Sequence, residues 1–244
     1  MMKKIVLIFA TIVFGLQQLA ASTFEKDVFQ TSAGELAITF IGHGSLMMEF
    51  EGDVIYIDPV SQYGDYTRMP KADLILITHD HGDHLDATAL DAVIQENTRV
   101  VLTEKCNEKY PGTDVMRNGD TKVFDEISVE AVPAYNLKHE RSPGVPFHPK
   151  GEGNGYVLQF GDTKVYVAGD TENIPEMARL KAIDVAFLPM NLPYTMTPEM
   201  CADAARMVMP KILYPYHFGE TDTNELLKLL KNDEAIEVRI RKLK

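Results

Sequence analysis

The chain has 244 residues, with 36 acidic and 24 basic side chains and a formal net charge of −12. This charge, with no basic stripe to offset it, disfavours binding to a nucleic-acid backbone. The only two cysteines are Cys106 and Cys201, so neither a disulfide framework nor a thiolate metal site is expected. Whether these two cysteines pair is left open by the sequence. The length suits one domain with a sizeable core.

Residues 1–21 are predicted to be a secretory signal peptide. Lys3-Lys4 precede an apolar run from Ile5 to Leu16, and small residues follow at positions 20–22. A basic start, a short apolar stretch and small residues are typical of such signals, and the run is too short for an ordinary membrane span. We therefore expect an exported protein, periplasmic or extracellular, with a single mature domain over residues 22–244. An uncleaved membrane anchor is the alternative.

Two similar β-hairpins are predicted, one in each half of the chain. The predicted strand pairs are Leu46–Phe50 with Val54–Asp58, and Tyr156–Phe160 with Lys164–Ala168. Each pair flanks a Gly-Asp turn, which is a typical hairpin signal. The first hairpin closes on Asp58, and Asp170 follows the second. The repeat therefore predicts that these two aspartates occupy related positions.

Matching elements follow each hairpin at nearly the same distance. The first half has a predicted strand Leu74–Ile77, helix Thr88–Gln95 and strand Arg99–Leu102, and the second half has strand Val185–Leu188, helix Pro198–Met209 and strand Ile212–Tyr214. Thr197-Pro198-Glu199 is a strong helix start, with a capping residue, a proline at the first position and an acid in the first turn. Several matches in register predict a fold of two similar αβ halves. The loop Asn191–Thr195 is then expected to face the corresponding loop of the first half.

Three histidines and three aspartates lie within the eight residues from His79 to Asp86, directly after the strand Leu74–Ile77. A strand end is a common position for a site in an α/β protein. Imidazole and carboxylate side chains together suit zinc, iron or manganese. The residue types therefore predict a metal site rather than a solvated polar turn, and the spacing H-x-H-x-D-H, at positions 79–84, resembles a motif that recurs in two-metal sites.

Four further motifs extend this pattern. They are Gly42-His43-Gly44-Ser45, Ile57-Asp58-Pro59, Ala168-Gly169-Asp170-Thr171 and Pro215-Tyr216-His217. On these residues, over roughly positions 36–220, the chain is identified as a member of the metallo-β-lactamase fold superfamily, as a general metal-dependent hydrolase. The resemblance implies an α/β fold, an αββα sandwich of two similar halves with metals at one edge between the sheets. The chain is most similar to the branch of the ascorbate-6-phosphate lactonases. His84-Leu85-Asp86 also resembles the N-acylphosphatidylethanolamine phospholipase D branch.

The resemblance implies two divalent metal ions, with zinc expected and manganese or iron also compatible. By position in the family's motifs, His79 and His81 map to the first metal, Asp83 and His84 to the second, Asp170 to the bridging carboxylate and His217 to the distal histidine of the second metal. A histidine that binds a metal needs its other ring nitrogen held by a carboxylate or a carbonyl. Asp58 is the first candidate for that role, and Asp86 is another. His43 is left open between pocket lining and a structural contact.

The third histidine of the first metal departs from the family's pattern. Many relatives place it at the end of the strand corresponding to Val129–Tyr135, where this chain has Asn136. The preferred replacement is His148, which opens a His-Pro-Lys-Gly stretch similar to that of a subgroup with a Tyr-Asn pair. His139, flanked by charged side chains, and Asn136 as a weak ligand remain the alternatives. The Gly- and Pro-rich stretch Tyr135–Gly155 is long for a connection, so we expect it to be functional.

The resemblance implies a hydrolase that uses a metal-activated hydroxide to cleave an ester, lactone or phosphodiester. Asp83 is expected to orient the hydroxide and move its proton, and Tyr194 or Asn136 to donate a hydrogen bond to the developing oxyanion. A phospholipase D-like lipid hydrolase, with Val145-Pro146-Phe147 as a modest apolar surface, and a metal-binding protein without turnover are the alternatives. The expected partner is a small-molecule substrate, with no nucleic acid and no membrane contact after signal removal. The oligomeric state is left open.

Overall fold

The structure is a computed structural model and describes residues 24–112 and 114–243. The predicted signal peptide lies outside the described residues. Within those two ranges, the chain forms two seven-stranded sheets, a separate two-stranded hairpin and four α-helices. None of these helices is long and apolar enough to cross a membrane.

The first sheet takes its strands in chain order. They are β1 (Glu25–Thr31), β2 (Gly34–Gly42), β3 (Ser45–Phe50), β4 (Asp53–Ile57), β5 (Leu74–Leu76), β6 (Arg99–Leu102) and β7 (Asp114–Val115). Helix α1 (Ala87–Val93) connects β5 to β6, and helix α2 (Glu104–Lys109) connects β6 to β7. The first four strands pair antiparallel and the later ones pair parallel, as crossover connections require.

The second sheet repeats this arrangement. Its strands are β8 (Thr121–Phe124), β9 (Ile127–Ala134), β12 (Gly153–Phe160), β13 (Thr163–Val167), β14 (Val185–Pro189), β15 (Ile212–Tyr216) and β16 (Glu237–Val238), and the inserted hairpin is β10 (Glu140–Ser142) with β11 (Val145–Pro146). Helix α3 (Pro198–Val208) precedes β15, and helix α4 (Thr223–Leu230) follows it. The antiparallel and parallel pairs follow the same order as in the first sheet.

The predicted internal repeat is confirmed, down to individual hydrogen bonds. Asp73 stands before β5 and accepts the backbone N–H of Val54 at 2.8 Å. Asp184 stands before β14 and accepts the backbone N–H of Lys164, also at 2.8 Å. In both halves, therefore, an aspartate before the parallel strand accepts a backbone hydrogen bond from the preceding hairpin.

The main core lies between the two sheets, and the helices cover their outer faces. Across the sheets, Phe50 meets Phe160 edge-on with ring centroids 5.1 Å apart, and Phe40 meets Tyr214 at 5.0 Å. Such pairs contribute about 0.5–1.5 kcal/mol each beyond their burial. A second apolar cluster joins α1 and α2 to the outside of the first sheet, while α3 and α4 pack outside the second. The predicted αββα sandwich is confirmed.

The helix predictions were right in position and incomplete in number. Helix α1 begins and ends slightly before the predicted range because Asp86 caps it, with its carboxylate accepting the N–H of Thr88 at 2.8 Å. The predicted start of α3 is confirmed, since Thr197 caps it through the N–H of Met200. Helices α2 and α4 were not predicted from the sequence. They have six and eight residues, which is too short for apolar residues to repeat clearly at the helical period.

The two cysteines do not pair. Both are free and buried, Cys106 on α2 outside the first sheet and Cys201 on α3 outside the second. Both sheets lie between them. Burial raises the pKa of the Cys106 thiol to about 11 and that of Cys201 to about 12, so both stay protonated at neutral pH and are poor nucleophiles.

An ion-pair network joins the first described strand to the C-terminal segment. The Asp27 carboxylate accepts hydrogen bonds from Tyr214 and from the Arg241 guanidinium, the latter at 2.7 Å, and lies 3.5 Å from Arg239. Burial raises the pKa of Asp27, but these partners outweigh burial and hold it below its usual value. The charged form is therefore favoured by folding.

Replacing Asp27 with asparagine is expected to lower the free energy of unfolding by about 1.5–3 kcal/mol at pH 7. Because the folded-state pKa of Asp27 is depressed, its stabilisation is present above the unfolded pKa of about 3.9 and is lost as pH falls through the folded pKa. Urea unfolding of the wild type and of Asp27→Asn, at pH 7 and at pH 3, measures this pH-dependent loss of stability. A difference in stability that stayed the same at both pH values would contradict the charge argument.

Candidate metal centre

The candidate site lies at the edge where parallel strands of both sheets end. His79 follows β5, Asp170 follows β13 and His217 follows β15, while His43 occupies the turn between β2 and β3. Parallel strands that end at one edge bring their following loops together, which is why residues far apart in sequence meet here. Both halves of the sandwich contribute to the site.

The first group of ligand atoms contains three histidines. Nε2 of His79 is 3.1 Å from Nδ1 of His81, and that Nδ1 is 3.2 Å from Nε2 of His148. Two nitrogens bound to one tetrahedral zinc at about 2.0–2.1 Å would lie about 3.3 Å apart, so this spacing fits a shared ion. The structure brings His148 into the group. His139 instead turns its Nδ1 to Glu172, 2.7 Å away.

The second group surrounds the Asp83 carboxylate. Its Oδ2 lies 3.6 Å from Nε2 of His217, 4.0 Å from Nε2 of His84 and 3.2 Å from Nε2 of His43. The His43 and His217 rings are in contact, with centroids 3.7 Å apart. His43, which sequence reasoning left between two roles, therefore lines the site and can offer a nitrogen to a metal there.

Asp170 lies between the two groups. Its Oδ2 is 3.3 Å from Nε2 of His148, 3.8 Å from Nε2 of His79 and 3.4 Å from Nε2 of His217. Its Oδ1 is 3.5 Å from Nε2 of His84. A carboxylate with contacts to both groups has the position that a bridging ligand needs.

The chemistry of these atoms fits bound cations. Among the described residues, the buried Nε2 of His84, Oδ1 of Asp170 and both ring nitrogens of His217 have no hydrogen-bond partner. Buried polar atoms without partners are rare in native proteins, and a site for a bound cation is a common reason for them. Divalent metal dependence also accords with the family described below.

In His84 and His148, the ring nitrogen that faces away from the cluster is held by a neighbouring group. Nδ1 of His84 contacts Oδ2 of Asp58 at 2.8 Å, and Nδ1 of His148 contacts Oδ1 of Asn136 at 2.7 Å. Because these oxygens accept a hydrogen bond from Nδ1–H, they favour the tautomer that leaves the Nε2 lone pair for a metal. The supporting role predicted for Asp58 agrees with this geometry.

Two sequence-based alternatives are corrected by the structure. Asp86 does not support a histidine, because its carboxylate accepts hydrogen bonds from the backbone N–H and the hydroxyl of Ser61 and caps α1. Asn136 does not point at the metals as a ligand. Its Oδ1 accepts from the backbone N–H and the ring of His148, and its Nδ2 donates to the carbonyl of Tyr194 at 2.9 Å.

A buried carboxylate missed by sequence reasoning supports this arrangement. Glu172 accepts the backbone N–H groups of residues 137–139, each at 2.8 Å, and the side-chain amide of Asn136 at 3.2 Å. Burial raises the pKa of Glu172, but these hydrogen bonds outweigh it and lower the pKa. The sequence feature that could have identified Glu172 is its position two residues after the predicted ligand Asp170. Glu172 thereby shapes the loop that carries His139 away from the cluster and leaves His148 within it.

Electrostatics at the centre favour charged carboxylates. Burial raises the pKa of Asp170, but the surrounding imidazoles hold it well below its usual value. Burial keeps the pKa of His79 well below normal, so this ring is neutral. Burial also opposes a charge on His84, yet Asp170 and Asp58 outweigh it and raise the pKa of His84 to about 9. A metal that binds His84 must therefore displace a proton.

The backbone at the site is strained. His43, Asp58 and His217 have φ values of 55°, 42° and 47°, in the left-handed region. Such residues cost about 1–3 kcal/mol each and persist where the surrounding structure determines them. Gly44 is needed for a different reason, since a Cβ there would lie 2.9 Å from Cε1 of His84. The turn after β2 can therefore approach the cluster closely.

The centre opens into a cavity of about 530 Å³. Its walls include His43, Asp83, His148, Asn191 and Tyr194. The Tyr194 ring is 45% exposed and meets Phe147 edge-on, with centroids 5.1 Å apart. The loop after β14 thus faces the histidine cluster across the cavity, as the repeat predicted, and Tyr194 stands at the rim.

Replacing Asn136 with alanine is expected to weaken metal binding at the first group about 10–100-fold, because His148 loses the acceptor that orients its ring. Competition with a fluorescent chelator measures the affinity. Asn118→Ala is a matched control, since that amide also makes several hydrogen bonds but holds Val132 and Gly153 rather than a histidine. Equal metal affinity in wild type and Asn136→Ala would remove the positioning role.

Comparison with known proteins defines the class of this fold and site. The beta-lactamase superfamily domain matches residues 37–217, which is most of the chain. The chain therefore belongs to the metallo-β-lactamase superfamily, and the predicted family membership is confirmed.

Individual relatives narrow this class. A UPF0173 metal-dependent hydrolase of Enterococcus faecalis is 34% identical over 192 residues, 73% of this chain and 85% of that protein. A UPF0173 metal-dependent hydrolase of Pelotomaculum thermopropionicum is 29% identical over 222 residues, 84% of this chain and 96% of that protein. The crystal structure of a Parabacteroides distasonis protein assigned as a metal-dependent hydrolase is 52% identical, covers 91% of this chain and all of that one, and has a TM-score of 0.87. The prediction of an enzyme is thus confirmed at the level of the family.

Proposed function

We propose that this protein is a hydrolase that holds two divalent metal ions, with zinc expected, and cleaves an ester, lactone or phosphodiester. The observation that carries the proposal is the position of Asp170 between two groups of ligand atoms. The proposed ligands are His79, His81 and His148 for one ion, Asp83, His84 and His217 for the other, and Asp170 for both. When bound, such ions lower the pKa of a shared water towards neutrality and polarise the scissile oxygen.

The side chains of this chain have separable tasks in that reaction. The Asp83 side chain is 45% exposed, whereas that of Asp170 is 3% exposed, so Asp83 is the carboxylate that reacting atoms can reach. Its Oδ2 is held by His43 at 3.2 Å and can orient a nucleophile and take its proton. Asp58 and Asn136 keep the rings of His84 and His148 in place.

Metal analysis and turnover together test the proposal. Purified protein should contain near two metal ions per chain and should hydrolyse phosphodiester, lactone or ester reporters in a chelator-sensitive way. The reporter that is turned over identifies the bond class. One metal ion or none, with no turnover after reconstitution, would overturn the proposal and favour a metal-binding protein without catalysis.

Two histidines of one loop provide a matched pair of variants. His148→Ala is expected to lose metal from the first group, because its Nε2 lies 3.2 Å from His81. His139→Ala should keep both ions, because its ring faces Glu172 instead. Metal content of the two variants, measured side by side, checks the choice of the third histidine.

Tyr194→Phe tests the proposed hydrogen bond to the developing oxyanion. We expect kcat to fall about 100-fold, since one well-placed donor at such a charge is worth roughly 3 kcal/mol. The Phe ring keeps the contact with Phe147, so metal content and stability should stay at wild-type values. An unchanged kcat removes this role for Tyr194.

A lipid phosphodiester is a second candidate substrate. Tyr194 at the cavity rim is exposed, and so are Val145, beside the first group, and Leu192, next to cavity-lining Asn191. Exposed apolar side chains grouped near a site mark interaction surfaces. Co-sedimentation with phosphatidylethanolamine vesicles, and its loss in Val145→Ser with Leu192→Ser, would favour this substrate.

We also propose that the protein is exported. The support is the basic and apolar pattern of residues 1–21 and the small residues that follow. Expression of the full chain in a Gram-negative host, followed by N-terminal sequencing of the periplasmic fraction, tests it. Full-length protein confined to the cytoplasm would overturn the proposal.

A further inference from the structure

Arg141 is a cation over the candidate centre that the proposed function does not yet use. It lies on the hairpin β10–β11 and lines the cavity together with His81. Its Nη2 is 3.2 Å from Nε2 of His81 and donates to the backbone carbonyl of Phe147 at 2.6 Å. The guanidinium is therefore held beside the first group of ligands by its own loop.

The contact between Arg141 and His81 cannot persist as a hydrogen bond in the metal-loaded protein. Nδ1 of His81 is the nitrogen that faces His79 and His148, so it is the one available to a metal. When Nδ1 binds a metal, the remaining ring hydrogen is on Nε2. Arg141 carries only donors. Two N–H groups then face each other about 3.2 Å apart and need an acceptor between or beside them.

The charges around Arg141 indicate that this acceptor is an anion. Among the described residues, Arg141 has no carboxylate within ion-pair distance, although the chain has 36 acidic residues. Lys105, which lines an adjacent cavity together with Arg141, is by contrast paired with Glu152 at 2.5 Å. Two divalent ions would also bring four positive charges against the two carboxylates Asp83 and Asp170.

We propose that Arg141 and the Nε2–H of His81 form a subsite for an oxyanion of the substrate, a phosphoryl or carboxylate group next to the bond that is cleaved. This inference rests on the proposed two-metal function and narrows its substrate class to anionic esters, lactones or phosphodiesters. The planar guanidinium can bind two oxygens of such a group at once, which a lysine cannot. Arg141 is then a specificity residue of the site.

Calorimetric titration of metal-loaded protein with inorganic phosphate and, separately, with acetate tests the subsite without any turnover. Arg141→Met is expected to weaken binding of the matching anion about tenfold, and Arg141→Lys to recover part of that loss. Lys105→Met is the matched control, because it removes the same charge from a side chain that lines the adjacent cavity with Arg141 but is already paired with Glu152. Lys105→Met should change the affinity for either anion by no more than about twofold. A greater loss for phosphate assigns a phosphoryl group, and a greater loss for acetate assigns a carboxylate.

Metal content, measured on every variant, separates this inference from the proposed function. Wild type that binds no metal overturns the proposed function itself. Metal-loaded Arg141→Met that binds both anions as wild type does overturns the subsite alone. Loss of metal from Arg141→Met, with Arg141→Lys retaining it, would assign Arg141 to holding the loop of His148 and would also overturn the subsite.

Discussion

Asp170→Asn is expected to reduce the metal content from two ions per chain to one or none and to lower kcat by at least about 1,000-fold. The carboxylate is the group that contacts both sets of ligand atoms, through Oδ2 at 3.3 Å from His148 and Oδ1 at 3.5 Å from His84. Asparagine has the same shape but is neutral, and its amide nitrogen cannot bind a cation. Metal analysis and turnover of the same preparation measure both effects.

The fold should survive this change, because the variant fills the same space and removes a buried charge. Asp203→Asn, on the exposed side of α3, is the control for the charge change, and we expect wild-type metal content and kcat there. Two ions per chain in Asp170→Asn with unaltered kcat would show that the carboxylate does not bridge.

Asp58→Asn is expected to weaken metal binding at the second group about 10–100-fold and to lower the free energy of unfolding by about 3 kcal/mol. The fully buried Asp58 carboxylate accepts the N–H of Thr78 at 2.7 Å, its hydroxyl at 2.6 Å and Nδ1 of His84 at 2.8 Å. An amide leaves one of these donors facing another donor. If His84 responds by moving its proton to Nε2, the nitrogen that faces the metal loses its lone pair.

Asn tolerates the left-handed backbone of position 58, so the loss should come from the side chain and not from new strain. Chelator competition gives the metal affinity, and urea unfolding of metal-free protein gives the stability. Asp86→Asn is the matched control, because asparagine also caps helices and Asp86 does not contact His84. Equal metal affinity for Asp58→Asn and Asp86→Asn would contradict the orienting role of Asp58.

The internal repeat shows how far sequence reasoning can reach in this fold. Matched hairpins and strands predicted two similar halves, and the structure extends the match to all seven strands of each sheet. Five of these strands were missed: β1, β2, β7, β8 and β16. Of these, β7 and β16 have two residues each and carry no readable alternation. Strands of two residues form because a neighbouring strand pairs with them, and the residues within such a strand carry no pattern that predicts this pairing.

What the sequence alone determined about this protein is the part of the site that lies within one short segment and its repeat. The run from His79 to His84 and the aspartates at positions 58 and 170 were found from residue types, spacing and the repeat, and the family from its resemblance to known motifs. The residues from His79 to His84 follow one strand, so the chain itself keeps them close, and the two aspartates follow the matching hairpins of the repeat.

Only the tertiary structure decided which distant residues complete the site. The sequence favoured His148 over His139 without a physical cause for the choice, and that cause lies in Glu172 and Asn136, which hold the loop so that one ring faces the cluster and the other turns away. Arg141 likewise meets His81 across 60 positions of sequence. Such contacts arise from the packing of two sheets and a loop, and packing depends on the whole core rather than on local spacing.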